Sequence, residues 1–214
     1  RKMVSEKLHP DDDCALCPRL VDYRRENQSK FPDWHNGPVS AFGSFDSPLL
    51  IVGLAPGLKG ANRTNRPFTG DGAGDLLYPT LKKHGLARGT YAASVDDGLE
   101  LVNCRITNAV RCVPPQNRVT GPETMTCRSF LVSEIDMMSN LKVILALGGV
   151  SHGAILASFG LKKSASKFAH AAHHDLPGGL ILTDSYHCSR YNTNTGRLTE
   201  KMFDDVFQAV VSRL

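Results

Sequence analysis

No stretch of the 214-residue chain is apolar for long enough to span a bilayer, and its opening RKMVSEKLHPDDD lacks the apolar segment of a secretory signal. The expectation is a cytoplasmic protein with no membrane partner. Three signatures that would name a ligand at once are also missing. There is no G-x-x-x-x-G-K-S/T, which excludes a P-loop, and the glycines at 70, 72 and 74 miss G-x-G-x-x-G because position 75 is Asp. The zinc-deaminase pattern, H-x-E followed by P-C-x-x-C, does not occur. No internal repeat or low-complexity tract is present. A net charge of +4 and a pI near 8.8 are mild, permitting an acidic partner such as nucleic acid without requiring one.

What is present fits one domain. A chain of this length with 41% hydrophobic residues carries one packed core more easily than two. Residues 1–13 are charged and are expected to be frayed and flexible. RLVDYRREN, after Pro18, has apolar positions at helical spacing, and residues 28–47 read as a connecting segment. Four apolar runs read as strands: 49–52, 104–110, 142–147 and 180–183. Helices are expected near 74–84, 123–140, 150–159 and 199–214, with Gly85 ending the first and Thr199 capping the last. Strands alternating with helices predict a single-domain three-layer α/β/α fold over residues 1–214, with a four-stranded parallel sheet.

The stretch from Leu49 to Leu77, LLIVGLAPGLKGANRTNRPFTGDGAGDLL, organises the rest. A buried strand leaves the sheet at Gly53 into a long loop that carries glycines at 57, 60, 70, 72 and 74 and the cations Lys59, Arg63 and Arg66. Such a loop at the carboxyl end of a strand, opening onto a helix, is where open α/β sheets bind ligands. Its glycines allow close approach of the backbone, and its cations suggest an anionic group.

Six cysteines in a chain with cytosolic features point to metal or redox chemistry before disulfides. Cys14 and Cys17 form a C-x2-C. Cys112 and Cys127, separated by fourteen intervening residues, flank a Pro-Pro turn and the start of a helix. Four thiolates suit either zinc or a [4Fe-4S] cluster, and spacing alone does not choose. Cys104 reads as a core residue, while Cys188, next to His187, is ambiguous.

GLAPG at 53–57, RPFTGD at 66–71, TNAVRC at 107–112 and H-x-S at 187–189, together with the cysteine pattern, resemble the uracil-DNA glycosylase superfamily, specifically its iron–sulfur families 4 and 5. The match runs in order from Cys14 to about Leu198. GANRTNRPFTGDGAG and SRYNTNTGRLT look most like family 5, the B-type enzymes, as does the absence of an acid at Leu54-Ala55. The resemblance implies a monofunctional DNA glycosylase of base excision repair, acting on single- and double-stranded DNA that carries uracil and then hypoxanthine or xanthine. It implies a monomer in a bacterium or archaeon, working on chromosomal DNA.

It also implies roles. Asp71 would orient a water or stabilise the sugar cation; Asp75 is its competitor, with helix-dipole complementation as its ordinary reading. His187 would hydrogen-bond the departing base oxygen as a neutral imidazole. Asn108 would read the base edge with an amide that both donates and accepts, and Phe68 would stack on the base. Gly53, Ala55 and Gly57 would line the substrate site, Ser189 would contact a phosphate, and Arg190 or Tyr191 would wedge into the stack. Lys59, Arg63 and Arg118 are candidate phosphate neutralisers. Cys14, Cys17, Cys112 and Cys127 would hold a [4Fe-4S] cluster with a structural role. Cys188 stands where the family usually has proline, which puts the rigidity of that turn in question.

Three competing readings differ in class. One is a uracil-DNA binder or repair sensor with little turnover, which is associated with a histidine-bearing insertion that GLKGANRTNRPF lacks. Another is a non-catalytic iron–sulfur nucleic-acid-binding module. The third is a zinc hydrolase at His170, His173 and His174, which fall on one face if the segment is helical; a polar surface helix is the ordinary explanation of the same spacing.

Overall fold

The computed structural model describes residues 7–214. The expectation of a flexible start therefore falls partly outside the described residues. Residues 7–13 form bends and a turn, closed by the Cys14 amide donating to the Asp11 carbonyl at 2.9 Å.

In chain order the elements are α1 (Pro18–Lys30), β1 (Leu49–Gly53), α2 (Ala61–Thr64), α3 (Gly72–Lys83), β2 (Ala87–Arg88), β3 (Glu100–Leu101), β4 (Cys104–Asn108), α4 (Gly121–Met137), β5 (Val143–Leu147), α5 (Gly149–Ser158), β6 (His173–Asp175), β7 (Ile181–Ser185), α6 (Arg190–Asn194) and α7 (Glu200–Val211). The main sheet has the order β4-β1-β5-β7-β6, its first four strands parallel. β6 pairs antiparallel with β7, and β2 and β3 form a separate antiparallel ribbon.

Strand alternation builds the layers. Leu49 and Ile51 of β1 face one core, which is closed by Leu77, Tyr78 and Leu81 of α3 and Phe203, Phe207 and Val210 of α7. Leu50 and Val52 face the other, against Leu131 and Ile135 of α4 and Ile155 and Leu156 of α5. Every residue of β1 and of β5 is buried, as a parallel sheet covered on both faces requires. Full burial of each such Leu or Ile is worth roughly 1.5–3 kcal/mol.

The helix ends follow their sequence signals. Thr120 and Glu123 form a reciprocal capping box at α4, and Thr199 caps α7 by accepting from the Met202 amide. Glu123 is also gripped by Arg19 at 2.7 and 2.8 Å, which binds α1 to α4. Among the described residues no helix is long and apolar enough to cross a membrane.

Two expectations are corrected. The sheet has five strands, not four, because the polar triplet His173–Asp175 turns back on β7 through Pro177–Gly179, where Gly178 and Gly179 take positive φ. The histidines at 170, 173 and 174 therefore do not share a helical face. His173 Nδ1 lies 2.8 Å from Thr183 Oγ1, His174 Nε2 lies 2.8 Å from Asp184 Oδ2, and His170 Nδ1 accepts from the Tyr186 amide at 3.0 Å.

Candidate active site

The chain passes from β1 to its neighbour β4 on one side and later to β5 on the other, so the crevice opens at their carboxyl ends. A cavity of about 570 Å³ lies there, formed by the loop after β1, the amino end of α3 and residues 187–190, with Asn108 and Asn117 completing it.

Gly53 and Asn108 are paired residues at the ends of β1 and β4. A Cβ on Gly53 would stand 2.5 Å from Asn108 Oδ1 and 2.6 Å from Phe68 Cζ. Glycine is thus the residue that lets the Phe68 ring and the Asn108 amide close over the strand end. Gly53 lies behind both side chains and is not part of the cavity wall. The Asn108 amide has no hydrogen-bond partner among the described residues. Phe68 takes φ of 54°, unusual for a bulky residue and worth about 1 kcal/mol or more of strain. Its neighbours hold it there: Tyr78 Oη donates to the Pro67 carbonyl, Tyr91 Oη donates to the Phe68 carbonyl at 3.4 Å, and Gly74 leaves room for that carbonyl.

Asp71 is the N-cap of α3, with Oδ1 accepting from the Ala73 amide at 3.2 Å. Its Oδ2 looks across the glycine-rich loop, since a Cβ on Gly57 or Gly60 would come within 2.7 or 2.3 Å of it. One oxygen caps a helix while the other faces the cavity. Burial raises the Asp71 pKa above the usual carboxylate value, opposed by the Ala73 and Gly74 amides and by Arg190. Asp75 is exposed and lies 3.4 Å from Arg190 Nη2; it is not a cavity residue.

His187 follows β7, and its ring centroid lies 5.9 Å from that of Phe68. Burial lowers its pKa to about 4, so the imidazole is neutral at physiological pH. The chain around it is braced: Asn192 Nδ2 donates to the His187 carbonyl at 2.9 Å, and Ser189 caps α6 by accepting from the Asn192 amide at 3.2 Å. Cys188 is fully buried in the core, so the turn is anchored by packing where a proline would stiffen it covalently. Ala55, Gly57, Ser189 and Arg190 line the cavity, whereas Tyr191 lies outside it, 75% exposed on α6.

The loop cations divide. Lys59 and Arg63 are exposed, and Lys59 lines the cavity. Arg118, also exposed, follows the cavity residue Asn117. Arg66 faces inward: it is buried, bidentate to Asp97 at 2.9 and 2.7 Å, and packed over Phe42 and Tyr78. It fixes the loop and is not placed to meet an anion. Asn117 is a cavity residue that the motifs did not single out. It follows Pro114-Pro115 with φ of 56°, a conformation asparagine tolerates better than most residues, and that is the one local signal for it.

Cys14, Cys17, Cys112 and Cys127 line a second, small apolar cavity with Leu20, Val110 and Phe130. No disulfide forms among the described residues, and no three of these sulfurs lie within 4.8 Å of one another. Four thiolates gathered around one cavity can serve as ligands of a single tetrahedral ion or of a polynuclear cluster. Burial pushes the Cys17 thiol up to about 11 and Cys112 to about 12; a coordinated metal reverses this by deprotonating the thiol outright. Arg24 ties the site together, donating to the Cys14 carbonyl at 2.8 Å and to Cys112 Sγ at 3.8 Å.

Comparison with known proteins gives the same direction. The family model described as "Uracil DNA glycosylase superfamily" matches residues 40–211. A protein named type-5 uracil-DNA glycosylase from Thermus thermophilus is 46% identical over 199 residues, covering 90% of each chain. One of the same name from Mycobacterium leprae is 41% identical over 203 residues, 91% of this chain and 89% of that protein. A type-4 uracil-DNA glycosylase from Thermotoga maritima is 34% identical over 151 residues, 70% of this chain and 62% of that one.

Proposed function

Because the chain belongs to the uracil DNA glycosylase superfamily, we propose that it is a monofunctional glycosylase of base excision repair that hydrolyses the N-glycosidic bond of uracil in DNA. The observation that carries this reading is the convergence of Phe68, Asn108, Asp71 and His187 on one cavity at the carboxyl ends of the strands.

The reaction passes through an oxocarbenium-like sugar while negative charge collects on the departing base, and the target nucleotide must first leave the stack. Phe68 stacks on the flipped base and Asn108 reads its edge, its amide being unengaged by protein groups. His187, neutral, donates a hydrogen bond to the base oxygen as charge develops there. Asp71 directs Oδ2 at the anomeric carbon side, where it orients the attacking water or stabilises the sugar cation. Ala55 and Gly57 let the backbone approach the base closely. Ser189, Lys59, Arg63 and Arg118 meet phosphates, and the exposed Arg190 or Tyr191 fills the space the nucleotide leaves. Asn117, which lines the same cavity, offers a second amide to the flipped nucleotide.

Cys14, Cys17, Cys112 and Cys127 would hold a [4Fe-4S] cluster, which supplies structural cross-linking of α1 and the Pro-Pro loop to the sheet. The substrate range extends from uracil to hypoxanthine and xanthine, in single- or double-stranded DNA, and the protein acts as a monomer on chromosomal DNA in the cytoplasm of a bacterium or archaeon. The test is purification without oxygen, a visible spectrum, and incubation with a uracil-containing duplex followed by alkali. A brown protein and strand breaks at uracil support the reading. A colourless protein that leaves uracil, hypoxanthine and xanthine duplexes intact overturns it.

A further inference from the structure

Asp184, near the end of β7, is fully buried, and its ion-pair partners among the described residues are two histidines, with no Lys or Arg. His152 Nδ1 of α5 lies 2.7 Å from Oδ1, His174 Nε2 of β6 lies 2.8 Å from Oδ2, and the Ala169 amide donates to Oδ2 at 3.3 Å. The second nitrogen of His152, Nε2, lies 2.8 Å from the Ser166 carbonyl oxygen. That oxygen can only accept, so Nε2 carries a proton. A neutral imidazole has one N–H, and its Nδ1 lone pair would then face a carboxylate lone pair. A second proton, on Nδ1 or on the carboxyl, fits between them at 2.7 Å, and a metal ion in its place would need the pair to open to roughly 3.3 Å. Either one relieves the buried carboxylate of an unpaired charge.

The three ligand atoms lie within 4.8 Å of one another, the only such group among the described residues. Two imidazoles and a carboxylate form a donor set that zinc and neighbouring divalent ions accept, with a fourth position left for water. An imidazole whose other N–H is held by a backbone carbonyl is the usual arrangement behind a metal-bound histidine. The His174 side chain is 14% exposed, which leaves a route from solvent.

We propose that His152, His174 and Asp184 form a binding site for a divalent transition-metal ion, separate from the cysteine quartet, which takes the place of the proton between His152 Nδ1 and Asp184. The ion would fasten α5 and the β6 edge to β7, two residues before Tyr186-His187. The inference does not depend on the glycosylase reading, and its readout is not activity.

The test uses the full chain, washed with chelator and titrated with Zn²⁺ by calorimetry, with bound zinc counted by elemental analysis. His174→Gln, at the exposed rim, and His152→Gln are run beside wild type, and the counting by difference removes any zinc taken up by the thiols. Wild type should bind one more Zn²⁺ per chain than either variant, and Cys112→Ser should keep that increment. Equal zinc uptake in wild type and both histidine variants would overturn the proposal and leave the trio as a proton-held structural pair with a third partner.

Discussion

Asp71→Asn separates the two duties of one side chain. Asp71 caps α3 through Oδ1 and faces the cavity through Oδ2. Asparagine is about as good an N-cap as aspartate, whereas alanine in that position costs about 1 kcal/mol. In a chain of this size that cost lowers Tm by roughly 2–4 °C. Asp71→Asn should therefore melt close to wild type, and Asp71→Ala a few degrees lower. Chemistry should respond differently, because both variants lack the negative charge. Loss of a carboxylate that orients water or faces a developing cation should slow excision by about 10²–10⁴-fold, or roughly 3–5 kcal/mol at 1.36 kcal/mol per tenfold. The assay is single-turnover cleavage of a uracil duplex with thermal melts on the same samples, and Asp75→Asn as the exposed control should change the rate less than about threefold. Because burial raises the Asp71 pKa, the acid limb of the wild-type rate profile should lie above the usual carboxylate range and should vanish in Asp71→Asn. An Asp71→Asn protein that excises uracil at the wild-type rate would refute the catalytic assignment and reduce Asp71 to a cap.

Gly53→Ala puts a methyl group 2.5 Å from Asn108 Oδ1 and 2.6 Å from Phe68 Cζ; the protein should fold, with about 1–3 kcal/mol of strain, and bind abasic-analogue and uracil duplexes at least tenfold more weakly. His187 titrates near 4 when folded against 6.5 unfolded, so the unfolded chain takes the proton first. Its contribution to stability is present above pH 6.5 and is lost as pH falls toward 4, and urea melts at pH 7.5 and 4.5 should show a smaller acid loss in His187→Gln. Over pH 6–8 the wild-type rate should show no step from His187. Asp97→Asn leaves the buried Arg66 guanidinium unpaired, which should destabilise by about 3–5 kcal/mol and lower Tm by roughly 10 °C. An unchanged melt would show that Arg66 finds its charge partner elsewhere.

The parallel strands were legible because each is a short, almost unbroken apolar run, which a sheet covered on both faces demands. β6 was not, since His-His-Asp carries no strand periodicity and is held by one neighbour; its signal was the Pro-Gly-Gly turn that follows it. Spacing 170, 173, 174 suggested a helical face, but strand alternation sent adjacent histidines to Thr183 and Asp184 instead. In the site, Asp71, Phe68, Asn108 and His187 were legible as types at the ends of strands or beside glycines. The capping role of Asp71 was not drawn from GDGAG, although an aspartate just before a helix is a standard N-cap. Arg66 reads as a loop cation facing an anionic group because its partner Asp97 is 31 residues away in sequence, and no local pattern reports such a pair. Asn117 was hidden for the opposite reason: an exposed amide after two prolines looks like any turn.

One span joins the two centres. From Asn108 to Asn117 the chain leaves β4, places an amide in the cavity at the strand ends, supplies Cys112 to the thiol quartet, and returns to the cavity rim. Between them Arg111 is fully buried, donating from Nε to the Asn108 carbonyl at 3.2 Å and from Nη2 to Glu134 Oε2 at 2.5 Å. Arg105 holds the other Glu134 oxygen at 2.7 Å, so α4, which carries Cys127, is clamped to the strand that carries Asn108. A buried ion network of this kind adds little net stability compared with apolar packing. What it supplies is direction, because a guanidinium fork and a carboxylate meet well in few orientations. The cysteine site then need not touch DNA to matter for it. Whatever holds the four thiols in place also fixes the far end of the segment that sets Asn108 and Asn117, and a loosened quartet would be felt in base recognition before it was felt in the sheet.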